Sequence, residues 1–351
     1  AHTYATENTP TRALLAEDVL PRLSVLLDHK DARLTLRYEP QLRLTRDPAA
    51  PGGTAAFAQG GSVRAEWDAG PAWRATGDAR AAERLVDLGA PGEGPRLLDL
   101  RAGTANVRFL DAGAAMGLEG RLGPIHGLRA RASVDETGGV DPADRVVLPR
   151  MQERRLGARL SREQTRIDVL QLDVGVLAAT MDAGGQASIA TAGAGWLRAV
   201  TRTLQVRLAA SWNEAWSAGA APQLLPGGDL EVESSGLAGH RVRLSAALHA
   251  GPAVDRYGAT VHERLGGDAA LGWALASRWT LEASGAAGRI LAPLGYVAAR
   301  GDLRAVWRAS RRVSLSGGGW SEWHRDPQLP GGATSLVRGA SAAVEVSTLA
   351  R

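Results

Sequence analysis

Hydrophobic and polar residues alternate with a period of two along most of this chain. In RLTLRYEPQLRLT, residues 33–45, the even positions carry leucines, Tyr38 and Pro40, and the odd positions carry Arg, Thr, Glu and Gln. Such alternation places the apolar side chains on one face of a β-strand and the charged side chains on the other. The segment is about twice as long as the usual strand of five or six residues. A strand that crosses a membrane needs about 9–11 residues.

Pro40 lies on the apolar face of this segment. It lacks a backbone N–H, so it removes one hydrogen bond from the ladder to a neighbouring strand. We expect it to mark a bulge or a locally weak pairing.

About seventeen alternating segments, each roughly ten to fourteen residues long, recur from residue 20 to the C-terminus. Further examples are LRARASVD at 128–135 and TLQVRLAASW at 203–212. Short turns between the segments alternate with longer connections rich in Pro, Gly and Asp, which are turn and loop formers. The predicted short turns are 29–31, 68–72, 123–127, 275–278 and 308–311, and the predicted longer loops are 45–59, 81–105, 136–147, 218–229 and 326–334.

This layout predicts a β-barrel in the bacterial outer membrane. In lipid every backbone polar group must be paired within the protein, so a spanning sheet has to close on itself. Bacterial barrels usually have an even number of strands, and residues 1–9 can supply one strand more. We therefore predict that residues 1–351 form a single all-β domain, a transmembrane antiparallel up-and-down β-barrel of about 18 strands, with 16 as the runner-up. Its short turns are periplasmic and its longer loops are extracellular.

Tryptophans mark two depths along the predicted strands. Six of the ten flank short turns, and the other four, Trp212, Trp216, Trp320 and Trp323, lie near the opposite strand ends, about nine residues away along the chain, which is roughly 21 Å at a 45° tilt. Most of them lie on the apolar face of their strand. Trp320 does not, since Val313, Leu315 and Trp323 occupy odd positions and form the apolar face of that strand. The residues predicted to form the membrane girdle are Trp67, Trp73, Trp196, Trp212, Trp273, Trp279, Trp307 and Trp323.

The charged residues share the face opposite the apolar one. We predict that this face lines a water-filled interior, because barrels of 16–18 strands enclose an aqueous channel. Two interpretations of these charges remain open. They form ion-pair ladders that stiffen the wall, or they line a mildly cationic lumen for a polar or acidic polymer or a protein plug. The predicted lumen-lining residues are Arg33, Arg37, Glu39, Arg43, Arg64, Arg74, Arg129, Arg131, Asp135, Arg159, Arg207, Arg241, Arg243, Arg300, Asp302 and Arg304.

Composition argues against other classes of protein. The 41 basic and 37 acidic residues nearly balance, whereas a nucleic-acid-binding protein has a clustered basic patch. The seven His show no metal-ligand spacing and there is no Cys, so we expect no metal site and no cofactor. Neither a GxSxG motif nor a phosphate-binding loop is present, and we expect no catalytic residues and no enzyme activity.

Several blocks resemble a group of myxobacterial outer-membrane barrels encoded with polysaccharide-export machinery. These blocks are DVLPRLSVLLDHKDARLTLRYEP (18–40), GSVRAEWDAGPAWRAT (61–76), LGWALASRWTLEASG (271–285) and LRAVWRASRRVSLSGG (303–318). The resemblance implies that the barrel supplies the outer-membrane passage for an exopolysaccharide. It also implies a partner, a short periplasmic polysaccharide-export protein without a membrane-spanning part of its own. No catalytic residues carry over.

Three functions follow from the sequence. The leading one is a polysaccharide-export barrel, whose partners are the lipid bilayer, the periplasmic export protein and the polysaccharide itself. The second is a general or selective porin, in which an inward loop narrows the bore, and 81–105 is the only predicted loop long enough for that role. The third is a structural or adhesion barrel that binds through its external loops.

Overall fold

The computed structural model describes residues 2–6, 9–19, 21, 23–46, 53–86, 107–182, 184–237, 241–291, 295–310, 312–325 and 334–346. Within these ranges lie nineteen β-strand segments and one short helix. No helix among them is long and apolar enough to cross a membrane. The elements are β1 (His2–Thr6), β2 (Thr9–Val19), β3 (Leu23–His29), β4 (Ala32–Arg46), β5 (Gly53–Asp68), β6 (Trp73–Val86), β7 (Val107–Arg121), β8 (His126–Gly139), α1 (Pro142–Val147), β9 (Met151–Glu163), β10 (Asp168–Met181), β11 (Gln186–Ala199), β12 (Leu204–Ser217), β13 (Gln223–Gly236), β14 (Val242–Asp255), β15 (Thr260–Ala276), β16 (Trp279–Ile290), β17 (Val297–Arg308), β18 (Val313–Arg325) and β19 (Thr334–Val346).

The strands form one antiparallel, up-and-down sheet. From β4 onward each strand pairs with the next strand in sequence. β1 pairs with β2 on one side and with β19 on the other, and β2 pairs with β4. The pairings therefore run around a ring, as a membrane-spanning sheet requires.

β2 and β3 are two parts of one strand. Leu15–Val19 pair with Arg46–Leu42, and Leu23–His29 continue the same register against Tyr38–Ala32. This register sets Pro21 opposite Pro40, and neither proline has an N–H to donate, so the ladder is interrupted there. Counting β2 and β3 as one strand, the described residues form eighteen strands, in agreement with the predicted count of about 18.

Pro40 marks a weak pairing and not a bulge. The ladder between β4 and β5 runs without a register shift from Ala32↔Trp67 to Arg46↔Gly53, with Pro40 opposite Gln59. The hydrogen bond that Pro40 cannot donate is therefore missing on the side of β4 that faces β2 and β3, where the ladder is interrupted.

The predicted short turns all lie at one end of the strands. Lys30 and Asp31 join β3 to β4, and residues 69–72 join β5 to β6. This end is periplasmic in outer-membrane barrels, and the opposite end is extracellular. The extracellular connections are shorter than predicted where the strands extend further, since β5 begins at Gly53 and β13 at Gln223. Residues 87–106 and 326–333 lie outside the described residues.

The predicted loop 136–147 contains regular structure instead. It holds the end of β8 and the helix α1. Pro142 lies in the first turn of α1, where its fixed φ suits a helix and its missing N–H costs nothing.

The apolar and charged residues of neighbouring strands share faces, as the alternation predicts. Arg33 pairs with Glu66 on the charged face, and Leu36 pairs with Val63 on the apolar face. Leu36 and Val63 are both exposed. A large exposed apolar surface of this kind indicates contact with a membrane or another apolar partner. In outer-membrane barrels, an outward apolar band faces the lipid.

The end of the β14–β15 hairpin leaves the wall of the barrel. The pairing of β13 with β14 ends at Gly228↔Ala250, and that of β15 with β16 ends at Arg264↔Ile290. The two strands stay paired with each other as far as Asp255↔Thr260. We call residues 251–263 the inward hairpin, because the part of the chain beyond the last wall pairings packs inside the barrel.

Packing contacts place the inward hairpin in the lumen. Val261 is buried in a cluster with Ala187 and Ile189 of β11 and Ala215 of β12. Val254 packs against this cluster and against Met151, Ala179 and Met181 of β9 and β10. Since these partners share the charged face with Asp173 and Arg207, the hairpin lies on the concave side of the sheet.

Candidate functional site

The inward wall carries ion pairs that link neighbouring strands. Arg80 of β6 lies between Asp111 of β7 and Asp135 of β8, with nitrogen–oxygen distances of 3.1 and 2.8 Å. Arg129 of β8 pairs with Glu119 of β7 at 2.8 Å. These side chains are partly exposed, so each pair contributes at most about 1 kcal/mol. Their shared effect is to hold three adjacent strands in register.

Most predicted lumen-lining residues lie on this inward face. Asp302 accepts a hydrogen bond from Ser284, Arg304 donates one to Ser316, and Arg243 faces inward opposite Gly272. Arg241 lies in the turn before β14 and not in the strand, and the side chain of Arg43 lies outside the described part of the chain. Those with an ion-pair partner are Arg33, Arg37, Glu39, Arg64, Arg74, Arg129, Arg131, Asp135, Arg159, Arg207 and Arg300.

A different arrangement occupies the wall from β13 to β16. Among the residues that the structure describes, the inward Asp229, Glu233, Asp268 and Glu282 have no ion-pair partner. The inward positions beside them are small, as at Gly266 and other glycine and serine positions of this sector. The lumen therefore has one densely paired side and one more open side with unpaired carboxylates.

A chamber of about 660 Å³ lies between the inward hairpin and the paired wall. The partly exposed Leu177, Pro252 and Ala253 supply apolar surface, and charged groups of both signs supply the rest. The titratable residues around it are Arg80, Asp111, Asp135, Glu153, Arg155, Asp229, His249, Arg256 and Arg264.

Arg256, in the turn of the inward hairpin, ties the hairpin to the far wall. Its Nη2 donates to Thr137 Oγ1 at 3.2 Å and its Nη1 to the carbonyl of Pro149 at 3.4 Å. The residue is buried, with 3% of its surface exposed. At the same turn, a Cβ placed on Gly185 would overlap the Cβ of Ala259. The hairpin therefore fits closely against β8 and the β10–β11 turn.

A buried polar cluster lies on the inward face of β17 and β18. The Tyr296 hydroxyl and His324 Nδ1 form a hydrogen bond, and His324 Nε2 lies 2.5 Å from Glu322 Oε1. Arg300 reaches Glu322 at 3.5 Å and stacks over Trp320, 5.9 Å from its ring centroid. Because four of the five side chains are buried, the cluster braces the wall. In the sequence, this cluster is indicated by Trp320, which lies on the charged face of its strand and not on the apolar face.

The eight girdle tryptophans lie on the outward face. Trp279 and Trp307 are paired across β16 and β17 and stack with ring centroids 6.1 Å apart. Trp196 donates its indole N–H to Asp168 at 3.0 Å and lies near the guanidinium of Arg198. An indole ring at the membrane boundary can bury its apolar surface in lipid while its N–H keeps a hydrogen-bond partner.

The alternation of residues did not predict the inward hairpin. The expected inward loop, 81–105, contributes the end of β6, and its remainder lies outside the described residues. Gly251 and Pro252 within an alternating segment are the signal that was available, because both weaken a strand that must pair on two sides. In the described ranges no three His, Asp or Glu side chains are placed to hold a metal ion.

Solved structures show where else this fold occurs. The FrpB iron transporter from Neisseria meningitidis, F3-3 variant, aligns over 97% of this chain and 68% of its own, at 10% identity and a TM-score of 0.50. The apoprotein form of its F5-1 variant aligns over 97% and 67%, at 8% identity and a TM-score of 0.51. The chain therefore has the fold of an outer-membrane β-barrel. At these identities the likeness concerns the fold alone. No protein-family model matches the sequence, and no curated protein matches it.

Proposed function

We propose that this barrel is a passage for polar molecules across the outer membrane. The observation that carries the proposal is the ring of eighteen strands with an apolar outward face and a charged inward face. Barrels of 16–18 strands have room for water inside, and charged side chains keep that space wet. Transport also fits the similar solved structures of the FrpB iron transporter.

The finer proposal is that the cargo is an exported polysaccharide. It is supported by the resemblance of blocks 18–40, 61–76, 271–285 and 303–318 to barrels of exopolysaccharide export. The small inward residues of β15 and β16 leave space for a polymer beside the inward hairpin. A periplasmic polysaccharide-export protein would dock at the short-turn end, around Asp28–Ala32, Trp67–Trp73 and Arg308–Arg312.

Surface glycan tests the export proposal. Cells lacking the protein are stained quantitatively for surface polysaccharide and compared with cells complemented by the intact gene. Export predicts loss of surface glycan that complementation restores. Unchanged glycan, or failure to crosslink any periplasmic export protein to the short turns in native membranes, would contradict it.

A selective porin is the second candidate, and the inward hairpin favours it. An element that folds into the lumen narrows the bore and sets an upper size for solutes. Purified barrel alone in planar bilayers should then conduct ions and exclude large neutral polymers. A barrel that stays closed until a periplasmic partner is added would favour export over the porin.

A further inference from the structure

We infer that the chamber beneath the inward hairpin is a binding site for neutral sugar units, one to three at a time. This inference rests on the proposed passage, since it places a specific site within that passage. The inward hairpin forms the wall of the site opposite β6–β10.

The dimensions of the chamber suit such a ligand. Its volume of about 660 Å³ lies within the roughly 300–1,000 Å³ of small-molecule sites. The tie between Arg256 and Thr137 holds the hairpin side in place. The site is therefore largely formed before a ligand enters, which lowers the entropic cost of binding.

Its polar groups match hydroxyls. A sugar hydroxyl donates one hydrogen bond and accepts others, so it needs acceptors and donors close together. Asp229 offers a carboxylate that has no ion-pair partner within the described residues, beside His249 on the next strand. On the facing wall, the partly exposed Arg155 donates from Nη2 to Glu153 at 2.5 Å, and its guanidinium has further N–H groups for a sugar hydroxyl.

The apolar part of the chamber matches the carbon skeleton of a sugar. The partly exposed Leu177, Pro252 and Ala253 line it together. The C–H face of a pyranose ring can cover these side chains while its hydroxyls reach the charged groups. A simple inorganic ion would leave this apolar surface wet, so the lining favours a saccharide.

The charge balance favours a neutral sugar over an acidic one. The lining contains four guanidinium groups and four carboxylates. Several of these are already paired with each other, as Arg80 is with Asp111 and Asp135. An acidic sugar would bring its charge near Asp229, which has no ion-pair partner within the described residues, and like charges at short range repel each other.

Binding is tested with the full chain in detergent, using maltotriose, cellotriose and raffinose as probes in titration calorimetry. Wild type should bind at least one of them at millimolar concentration. Asp229→Asn should weaken that binding about tenfold, because a neutral amide oxygen replaces a charged acceptor and makes a weaker hydrogen bond. The matched control is Asp268→Asn, an inward aspartate without an ion pair in the described residues that lies outside the chamber, and it should bind as wild type does.

The same protein in planar bilayers separates failure of the site from failure of the passage. A conducting barrel whose current is interrupted by the bound trisaccharide supports both. Conduction with no trisaccharide binding in either assay overturns the site and leaves the passage standing. Binding in detergent by a barrel that never conducts overturns the passage and supports the site. Equal losses in Asp229→Asn and Asp268→Asn would overturn the assignment of the chamber.

Discussion

The guanidinium of Arg256 donates a hydrogen bond to Thr137 Oγ1 across 3.2 Å, joining residues that lie 119 positions apart in the chain. Thr137 belongs to the inward face of β8, and Arg256 belongs to the turn of the inward hairpin. The sheet ladder no longer holds this hairpin on both sides. Contacts with the far wall therefore determine whether residues 251–263 lie in the lumen or outside it.

Removing this tie should loosen the inward hairpin. Arg256→Ala removes two hydrogen bonds from a charged donor, each worth about 1.5–3 kcal/mol. We expect faster hydrogen–deuterium exchange across 251–263 and a noisier, larger channel current. Arg278→Ala is the control, since Arg278 lies in an exposed turn at the opposite end of the barrel. Unaltered exchange in Arg256→Ala would mean that apolar packing alone holds the hairpin.

Added bulk at Gly185 should displace the same hairpin by a different route. The new Cβ of Gly185→Ala would overlap the Cβ of Ala259, which cannot rotate away. Overpacking of this kind costs about 1–3 kcal/mol, so the unfolding midpoint in urea should fall and exchange at the hairpin turn should rise. Gly77→Ala has open space around its Cβ and should leave both measurements as in wild type. A Gly185→Ala barrel as stable as wild type would show that the turn sits further from β10 and β11.

Glu322 should matter more to stability than an exposed carboxylate of the same wall. Glu322→Ala leaves Arg300 and His324 without their buried partner, and breaking a buried pair in this way costs about 3–5 kcal/mol. Glu282→Ala removes an exposed inward carboxylate that has no ion pair within the described residues. Urea unfolding in lipid bilayers should give a large loss for the first variant and little change for the second. Similar losses for both would contradict a bracing role for the cluster.

The stacked tryptophans Trp279 and Trp307 should anchor the barrel at the short-turn end. Trp307→Ala removes the stacking, worth about 0.5–1.5 kcal/mol, and also removes indole surface from the membrane boundary. We expect a lower temperature for the loss of the folded band in unboiled gel electrophoresis. Trp307→Phe keeps an aromatic ring and should retain most of the stability. Equal loss in both variants would assign the effect to the indole N–H.

The alternation of residues was sufficient to predict the wall of this barrel. A period of two decides which face each side chain takes, so the outward position of Trp323 and the inward position of Trp320 could both be anticipated. The strand count also followed, apart from the break at Pro21, which is visible only when the register brings it opposite Pro40.

The lumen could not be predicted in the same way. Val254 and Val261 fit the outward parity of their strands, yet both pack against inward residues such as Ile189. Local pattern cannot report that a hairpin bends away from its neighbours, because the bend depends on contacts between distant strands. The tie between Arg256 and Thr137 is of this kind. The chamber could not be predicted from the sequence for the same reason, since it lies between the hairpin and a distant part of the wall.

The most direct test of the account is the single-channel conductance of a barrel with a shortened inward hairpin. Ala250 and Leu265 are directly paired, so an Asn-Gly turn can join them in place of residues 251–264. The control replaces the turn at 218–222, an exposed extracellular connection, with the same two residues. A wet passage narrowed by the inward hairpin predicts a severalfold rise in conductance for the first variant and wild-type conductance for the control. Equal conductance in all three proteins, or none in any of them, would contradict the account.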